Sequence, residues 1–393
     1  MSDSDVLKPD FAGQGAPVPP FTPEHEEFRA ATRAWVEREL VPHVDEWEAA
    51  RDFPNSLFTK MADQGFIGLK FDEAYGGDND VVAAAVLAEE LARCGSGGLA
   101  AGVGAHMEIA LPPIAKFGTE EQKQRWLVPG IKGEKIAALA ITEPDAGSDV
   151  AGLKTTATPV EGGWIVSGEK CYITGGCRAD VMVTAVRMVG TSRHDGITFL
   201  GIERGEGVTS SKLEKMGWHA SDTALIKFDE VFVPEENLLG EVGKGFALIM
   251  ANFQWERLTM SLGAVSAAEY VMELTLKYAL ERQAFGRQIG KFQVIRHKFA
   301  EMATKIEVGR ALTMHALRMH VAGENAVKEV SMAKLLTQRA TLEIADECLQ
   351  IHGGAGYMVE YGIERAVRDA RLGPIGGGTD EVMAEIIGKT LGL

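Results

Sequence analysis

A β-rich stretch near the middle of the 393-residue chain reads Trp164-Ile165-Val166-Ser167-Gly168-Glu169-Lys170-Cys171-Tyr172-Ile173-Thr174-Gly175-Gly176. Its β-branched and aromatic residues, with glycine at the end, predict a β-hairpin that places Tyr172 and Thr174 on one face. Similar short runs, separated by turn residues, occupy positions 136–236. This spacing predicts an antiparallel β domain over that range.

Both flanks of this region have helical patterns. Thr22 and Pro23 are typical of a helix start, and apolar residues recur at helical spacing up to residue 135. Helical patterns return at 245–281, 292–320, 325–350 and 379–390. We therefore predict an α+β multidomain protein with a flexible N-terminal arm (1–21), a helical N-terminal domain (22–135), a middle β domain (136–236) and a helical C-terminal domain (237–393).

Composition excludes several functional classes. The chain has 40 basic and 56 acidic side chains and a formal net charge of −16, which argues against a nucleic-acid surface or a basic membrane-surface helix. Its four cysteines form no CxxC pair, so neither a disulfide scaffold nor a zinc ribbon is expected, and we predict no metal site. The acidic N-terminus lacks the features of a targeting peptide, and no stretch of 18 apolar residues occurs. These features predict a cytoplasmic protein without a membrane span.

Glycine is abundant, at 45 residues, and clustered. The clusters at 353–356 and 376–378 could bring exposed backbone amides to an anionic ligand, or they could be flexible connections. The nearby His352 is a lone histidine, and a lone histidine is more often structural than catalytic. No GxGxxG follows a predicted strand and no GxxxxGK[ST] occurs, so the Rossmann and P-loop modes of nucleotide binding are unsupported.

Three further segments could contact a flat or charged ligand, and each has a structural alternative. Small and hydroxylated residues at 138–149 would let the backbone come close to such a ligand, or they could form only a plain β-turn with an Asx cap. Tyr172 and Thr174 could pack on a ring and hydrogen-bond it, or form an ordinary cross-strand pair. Arg282 and Phe285 could clamp a pyrophosphate and a ring, or only mark the end of a helix.

The strongest chemical signal is a single carboxylate in a charge-poor helix. Between positions 244 and 269 the only charged residues are Glu256 and Arg257. Three apolar residues share the helical face of Glu256: Ile249, Phe253 and Met260. Burial on that face would raise the pKa of the carboxyl group, as a general base near neutrality requires. A buried structural ion pair is the alternative.

Together these segments resemble the acyl-CoA dehydrogenase family. The motifs TEPDAGSD, YITGG, ERQAFG, QIHGGAGY and GGGTDE occur in the family's order, and the resemblance covers residues 22–393. It implies a fold whose C-terminal domain is a four-helix bundle, an FAD cofactor, an acyl-CoA substrate and a homotetramer built as a dimer of dimers. It also implies a role in fatty acid metabolism, with an electron-transfer flavoprotein as acceptor.

The resemblance assigns site residues as well. The flavin contacts that it implies are Leu139, Ala140, Ile141, Thr142, Gly147, Ser148, Tyr172, Ile173, Thr174, Thr379 and Glu381. Contacts with the FAD of a partner subunit would be Arg282, Phe285 and Gln293, and the adenosine–pyrophosphate contacts would be Gln350, Ile351, His352, Gly353 and Gly354. The acyl-CoA would be contacted by Ser148, Arg257, Gly377 and Gly378. Tyr172 departs from the family's tryptophan but keeps an aromatic face.

The position of the catalytic base separates branches of the family. Many members place a glutamate directly before a Gly-Thr pair, and this chain has Gly377 there. A smaller branch, resembling isovaleryl-CoA and long-chain acyl-CoA dehydrogenases, carries its base on the long helix, at a position that corresponds to Glu256. The glutamate indicated by its charge-poor helix is therefore also the one that the resemblance implies. The backbone N–H of Gly377 and a flavin ribityl hydroxyl are the expected donors to the thioester oxygen.

The predicted reaction is α,β-dehydrogenation of an acyl-CoA thioester to the trans-2-enoyl-CoA. Glu256 would remove the α-proton while the β-hydrogen leaves as hydride to FAD N5. A flavin-dependent monooxygenase on the same fold is the main alternative, and a non-catalytic relative that binds nucleic acid is another. The acyl chain stays open, although Ala247, if it faced inward, would favour a longer or bulkier chain.

Overall fold

The computed structural model describes residues 20–191 and 193–393. Most of the flexible arm predicted at 1–21 therefore lies outside the described residues. Helices precede and follow a β region, as the sequence predicts. The N-terminal helices are α1 (Pro23–Glu39), α2 (Val44–Ala50), α3 (Ser56–Ala62), α4 (Val81–Leu91), α5 (Gly97–Gly104), α6 (Leu111–Phe117), α7 (Glu120–Gln122) and α8 (Val128–Ile131), with a π-helical segment, Ala105–Ala110, between α5 and α6.

The middle region forms a β-sheet, and helices follow it to the C-terminus. The strands are β1 (Ala137–Ala140), β2 (Thr156–Val160), β3 (Gly163–Thr174), β4 (Val181–Met188), β5 (Ile197–Glu203), β6 (Val208–Lys212), β7 (Thr223–Pro234) and β8 (Leu238–Leu239). The C-terminal elements are α9 (Gly245–Glu281), a short hairpin of β9 (Gln283–Ala284) and β10 (Arg287–Gln288), α10 (Gln293–Val321), α11 (Val327–His352), α12 (Ile363–Ala370) and α13 (Asp380–Thr390). The long helical patterns read from the sequence match these helices to within a few residues.

Local sequence explains where the first helix begins and ends. The Thr22 hydroxyl accepts a hydrogen bond from the backbone N–H of His25, and the His25 ring accepts one from the backbone N–H of Thr22. This capping box, with Pro23 in the first turn, satisfies amides that would otherwise lack partners. The helix ends shortly before Pro42, which cannot continue it.

The sheet has the strand order β6-β7-β3-β2-β4-β5-β8, and β1 lies beside β4. Most neighbours are antiparallel, including β3 with β7 and β4 with β5. The prediction of an antiparallel domain is incomplete, because β4 pairs in parallel with both β1 and β2. Because β8 pairs with β5, the sheet also extends to Leu239, past the expected boundary at 236.

The predicted hairpin at 164–176 is wrong. Residues 164–174 belong to one long strand, β3, which pairs with β2 on one side and β7 on the other. The turn comes earlier, at residues 161–162, where Gly162 has a φ of +78°. Gly168 is required for close approach, since a Cβ there would lie 2.6 Å from the Cα of Thr155. A bulge near the end of β3 brings Tyr172 to a φ of +61°.

The long helix α9 connects the two helical regions. Its second half packs with α10 and α11, and α13 packs on α11, which gives the predicted four-helix arrangement. Its first half contacts α4 and the π-helical segment. Accordingly Ile249 and Leu258 belong to the N-terminal core, whereas Val271 belongs to the core of the bundle. Glu256 therefore lies where the N-terminal helices meet the bundle.

Candidate active site

Glu256 carries a buried carboxylate oxygen, Oε2, that is inaccessible to solvent. Within residues 20–191 and 193–393 it has no hydrogen-bond partner. Burial raises the pKa of Glu256 to about 7, against the opposing charges of Arg257 and Lys334. An unpaired buried carboxylate is costly, so its retention points to a chemical use for the group.

The Gly377–Gly378 loop lies directly beside this carboxylate. A Cβ built on Gly377 would lie 3.7 Å from Glu256 Oε1 and would overlap Met260 Sδ. The φ of Gly377 is +64°, a conformation that residues with a side chain rarely adopt. Among the described residues, no protein acceptor receives the N–H of Gly377. The site thus places a proton acceptor next to a backbone donor without a partner.

Two cations from different helices hold the carbonyl groups of this loop. Arg257 on α9 donates from Nε to the carbonyl oxygen of Gly377 at 3.0 Å. Lys334 on α11 donates from Nζ to the carbonyl oxygen of Gly378 at 2.6 Å. The predicted contact between Arg257 and substrate stays a prediction, because the bond made by its Nε is to the protein backbone. Sequence reasoning missed Lys334, because Lys328, Glu329 and Arg339 lie close to it in the chain and it does not stand out as Glu256 does.

The predicted flavin segments at 139–148 and 172–174 lie together at the edge of the sheet. Cys171 N–H donates to the Thr142 carbonyl oxygen at 2.8 Å, and Lys170 Nζ donates to the Ile141 carbonyl oxygen at 2.9 Å. Leu139 and Ala140 lie on β1, the strand that leads into this loop. The bonds from β3 therefore fix the backbone of Thr142 beside the residues that follow Cys171.

The side chains of these segments divide into buried and exposed groups. Ile173 is buried, whereas Gly147 and Ser148 are exposed. Tyr172 is 67% exposed, which is unusual for so large an aromatic side chain. An exposed aromatic face is a surface on which a flat ring can pack.

A second set of predicted cofactor residues gathers at the other end of α9. Arg282, Phe285 and Gln293 are exposed around the β9–β10 hairpin, and Phe285 is 95% exposed. Arg282 is 26 residues from Glu256, which corresponds to about 39 Å along a straight helix. Within one chain, these residues and Glu256 therefore cannot contact the same part of one ligand.

The segment 350–354 belongs to this distant set. Gln350 and the two glycines that end it are exposed, and a Cβ on Gly353 or Gly354 would meet nothing within 4 Å. The side chain of Ile351 is buried. His352 is also buried, and its ring stacks on Tyr278 with centroids 4.2 Å apart. Any ligand contact of these two residues would therefore use their backbone.

Two other sequence expectations have clear structural positions. Thr379 caps α13, since its hydroxyl accepts a hydrogen bond from Val382 N–H, and Glu381 is exposed in the first turn of that helix. Ala247 is exposed, so the idea that it enlarges an acyl pocket is wrong. Among the described residues, no helix is long and apolar enough to span a membrane, and no three His, Cys, Asp or Glu side chains gather as metal ligands.

Known proteins match this chain over nearly its whole described length. Residues 22–134, 138–231 and 243–392 match the models for the N-terminal, middle and C-terminal domains of acyl-CoA dehydrogenase. The mitochondrial long-chain specific acyl-CoA dehydrogenase of Sus scrofa is 39% identical over 376 residues, which cover 94% of this chain and 87% of that protein. The mitochondrial isovaleryl-CoA dehydrogenase of Solanum tuberosum is 34% identical over 389 residues, covering 98% and 94%.

A solved structure gives the same result. The acyl-CoA dehydrogenase from Geobacillus kaustophilus superimposes with a TM-score of 0.92 at 42% identity, covering 96% of this chain and all of that chain. The matched domains follow the helical, β and helical regions in order. The chain therefore belongs to the acyl-CoA dehydrogenase family, with relatives among the long-chain and isovaleryl-CoA dehydrogenases.

Proposed function

We propose that the chain is an FAD-dependent acyl-CoA dehydrogenase in which Glu256 is the base. The reaction is α,β-dehydrogenation of an acyl-CoA thioester to the trans-2-enoyl-CoA. Glu256 takes the α-proton, and the β-hydrogen leaves with its electron pair. When bound, FAD supplies the acceptor for that hydride at N5.

One observation carries this proposal: a carboxylate with a pKa of about 7 faces a loop whose amide has no protein partner. An α-proton becomes acidic enough for a carboxylate only when the thioester oxygen is polarised. The N–H of Gly377 can donate to that oxygen, and such a donor is often worth ~3 kcal/mol of transition-state stabilisation. Because Gly377 has no side chain, the acyl α-carbon can lie between this amide and Glu256.

Two separate groups of residues fit two different parts of FAD. The exposed face of Tyr172, directly after the Cys171 N–H that binds the Thr142 carbonyl oxygen, suits the isoalloxazine ring. The open glycine backbone at Gly353 and Gly354 suits the pyrophosphate, as close approach of a phosphate to the backbone requires.

The distance between these two groups of residues supports assembly of the chain into an oligomer. The sets around Glu256 and around Arg282 lie about 39 Å apart on one chain, so a complete site would combine the first set of one subunit with the second set of another. A dimer is then the smallest active unit, and a homotetramer is its proposed assembly. An electron-transfer flavoprotein as acceptor, and a cytoplasmic location, are proposed with it.

The test is Glu256→Gln in the FAD-loaded protein, mixed anaerobically with acyl-CoAs of varied length and branching. We expect bound FAD to lose its visible absorbance with at least one acyl-CoA in the wild type. The variant should bind FAD normally but be reduced ~10⁴-fold more slowly or not at all, since general bases contribute up to about that factor. Glu307→Gln, at an exposed position on α10, is the matched control and should behave as the wild type.

Two results would overturn the proposal. Rapid reduction of the Glu256→Gln variant would exclude Glu256 as the base. A wild type that no acyl-CoA reduces, but that hydroxylates an aromatic compound with reduced flavin and O₂, would favour the monooxygenase alternative.

A further inference from the structure

Lys334 is a buried lysine outside the set of residues that the sequence assigns to the site. Its side chain is fully inaccessible, on a face of α11 shared with the buried residues Val330, Ser331 and Thr337. Nζ makes one hydrogen bond, to the carbonyl oxygen of Gly378. In the described part of the chain, no carboxylate lies within ion-pair distance of this ammonium group. Removing an ammonium ion from water without a paired anion is costly, so Lys334 must be retained for some other gain.

The charges around Lys334 connect it with the base. The positive charges of Arg257 on α9 and Lys334 on α11 both act to lower the pKa of Glu256. Burial lowers the pKa of Lys334 to about 8; the charge of Asp380, at the start of α13, opposes this and that of Arg339 adds to it, and these two residues form an ion pair with each other. Because Asp380 is already paired with Arg339, the positive charge of Lys334 is only partly offset on that side.

The same lysine also fixes the loop. Arg257 and Lys334 hold the consecutive carbonyl groups of Gly377 and Gly378 from two different helices. Both glycines have positive φ angles, +64° and +101°, so the backbone between them has few steric restraints of its own. A hydrogen bond from a charged donor is stronger than a neutral one, which suits it to hold such a flexible segment.

We propose that Lys334 is a positioning residue that holds the Gly377–Gly378 loop against Glu256 and supplies positive charge that favours the ionised carboxylate. The inference rests on the proposed function, because it assigns Lys334 to the proton-transfer step. A purely structural lysine would anchor α13 and contribute to stability alone. The two roles differ in whether the pH dependence of the reaction changes when the charge is removed.

The experiment compares Lys334→Met with Lys328→Met in the FAD-loaded protein. Lys328 lies on the same helix but is only partly buried, with 41% of its side chain exposed, and is paired with Glu329, so it is the matched control. The measurement is the pH profile of kcat/KM with an acyl-CoA that reduces the wild type. The wild-type profile should rise with pH through about 7, as Glu256 ionises. Loss of the nearby cation makes ionisation harder, so Lys334→Met should move this limb upward by about one pH unit.

The rate should fall as well. With the loop amide no longer held in place, kcat should drop ~100-fold, the size typical of losing one oriented donor, while KM changes little. Lys334→Arg keeps the charge and should leave the acid limb where the wild type has it, even if its larger side chain lowers kcat. Lys328→Met should reproduce the wild type in both respects.

The outcomes separate the inference from the proposed function. If no acyl-CoA reduces the wild type, the proposed function fails. If the wild type is reduced and Lys334→Met keeps both its rate and its acid limb, the inference about Lys334 fails alone. If Lys334→Met does not retain FAD, Lys334→Arg is the deciding variant. An acid limb that moves to higher pH although the charge is retained would contradict the electrostatic role of Lys334.

Discussion

Glu143 and Glu256 both have buried carboxylate oxygens, and their surroundings are opposite. Glu143 accepts hydrogen bonds from Lys170 Nζ at 2.7 Å and from Thr155 N–H at 2.9 Å, with a further bond from the backbone N–H of Lys154. Burial by itself would raise its pKa, but Lys170 and these donors outweigh burial and hold the pKa below its ordinary value. Glu256 has no hydrogen-bond partner for Oε2, and burial raises its pKa to about 7.

The difference separates a structural carboxylate from a reactive one. With its donors in place, Glu143 is ionised throughout the physiological range and gains nothing by taking a proton. Glu256 is balanced between its two protonation states near neutrality, so it can accept a proton and release it again. In this pair of glutamates, the hydrogen-bond donors around the carboxylate distinguish the two roles more than burial itself does.

Removing the charge of Glu143, the carboxylate that is paired, should have the largest effect on the free energy of unfolding. Glu143→Gln leaves Lys170 as a buried cation without an anion, and such a change typically costs ~3–5 kcal/mol of unfolding free energy. It should also loosen the loop that carries Thr142 and so weaken FAD retention. Thermal unfolding and the FAD content of the purified protein measure both effects.

Glu169→Gln is the control for this change, since Glu169 is exposed and directly precedes Lys170 on β3. It should leave stability and FAD content as in the wild type. An equal loss in both variants would mean that the pair at Glu143 has no special role.

Moving the unpaired carboxylate should restore activity in a protein that lacks Glu256. In a Glu256→Gln background, Gly377→Glu would place a new carboxylate from a Cβ position 3.7 Å from the old Oε1, but Met260 Sδ overlaps that position. Adding Met260→Ala should remove the overlap, while the φ of +64° at position 377 still strains any side chain there and limits the recovery. We expect the triple variant to recover ~100-fold in the rate of flavin reduction over Glu256→Gln alone, within the range of general-base catalysis.

The double variant that keeps Met260 is the control, and it should recover much less. Recovery independent of residue 260 would show that this side chain moves aside freely. No recovery in the triple variant would show that the two positions do not reach the same α-carbon.

Local sequence patterns predict one of these two sites and not the other. The charge-poor stretch around Glu256 is a local pattern, so both the helix and the candidate base could be predicted from it. The partners of Glu143 and of the glycine loop could not, because Lys170 is 27 residues from Glu143 and Lys334 is 44 residues from Gly378. Such pairs depend on how strands and helices pack, which no local pattern records.

The wrong hairpin has a similar cause. A β-rich run that contains glycine can be one strand or two, and Gly168 lies in the middle of this one. The reason for this glycine is the Thr155 backbone, which crosses within 2.6 Å of where a Cβ would lie. A glycine required by a close approach and a glycine required by a turn look alike in sequence.

The unpaired carboxylate should also lower stability in a way that depends on pH. The pKa of Glu256 is about 7 in the folded protein and near 4.5 ordinarily, so folding favours its protonated form. Its penalty is absent below pH 4.5, grows as pH rises, and is complete above pH 7, where it reaches about 1–3 kcal/mol. Glu256→Gln removes the titration, so the variant should gain several degrees of Tm over the wild type between pH 5 and pH 8.

The pH dependence isolates the carboxylate from other effects of the substitution. Any fixed cost of burying the glutamine amide is the same at each pH, so only the change in the Tm difference is informative. Glu307→Gln should show no such change. If Glu256→Gln shows none either, Glu256 finds a hydrogen-bond partner in the folded protein. In that case it would resemble Glu143, and the contrast between the two carboxylates would not explain their roles.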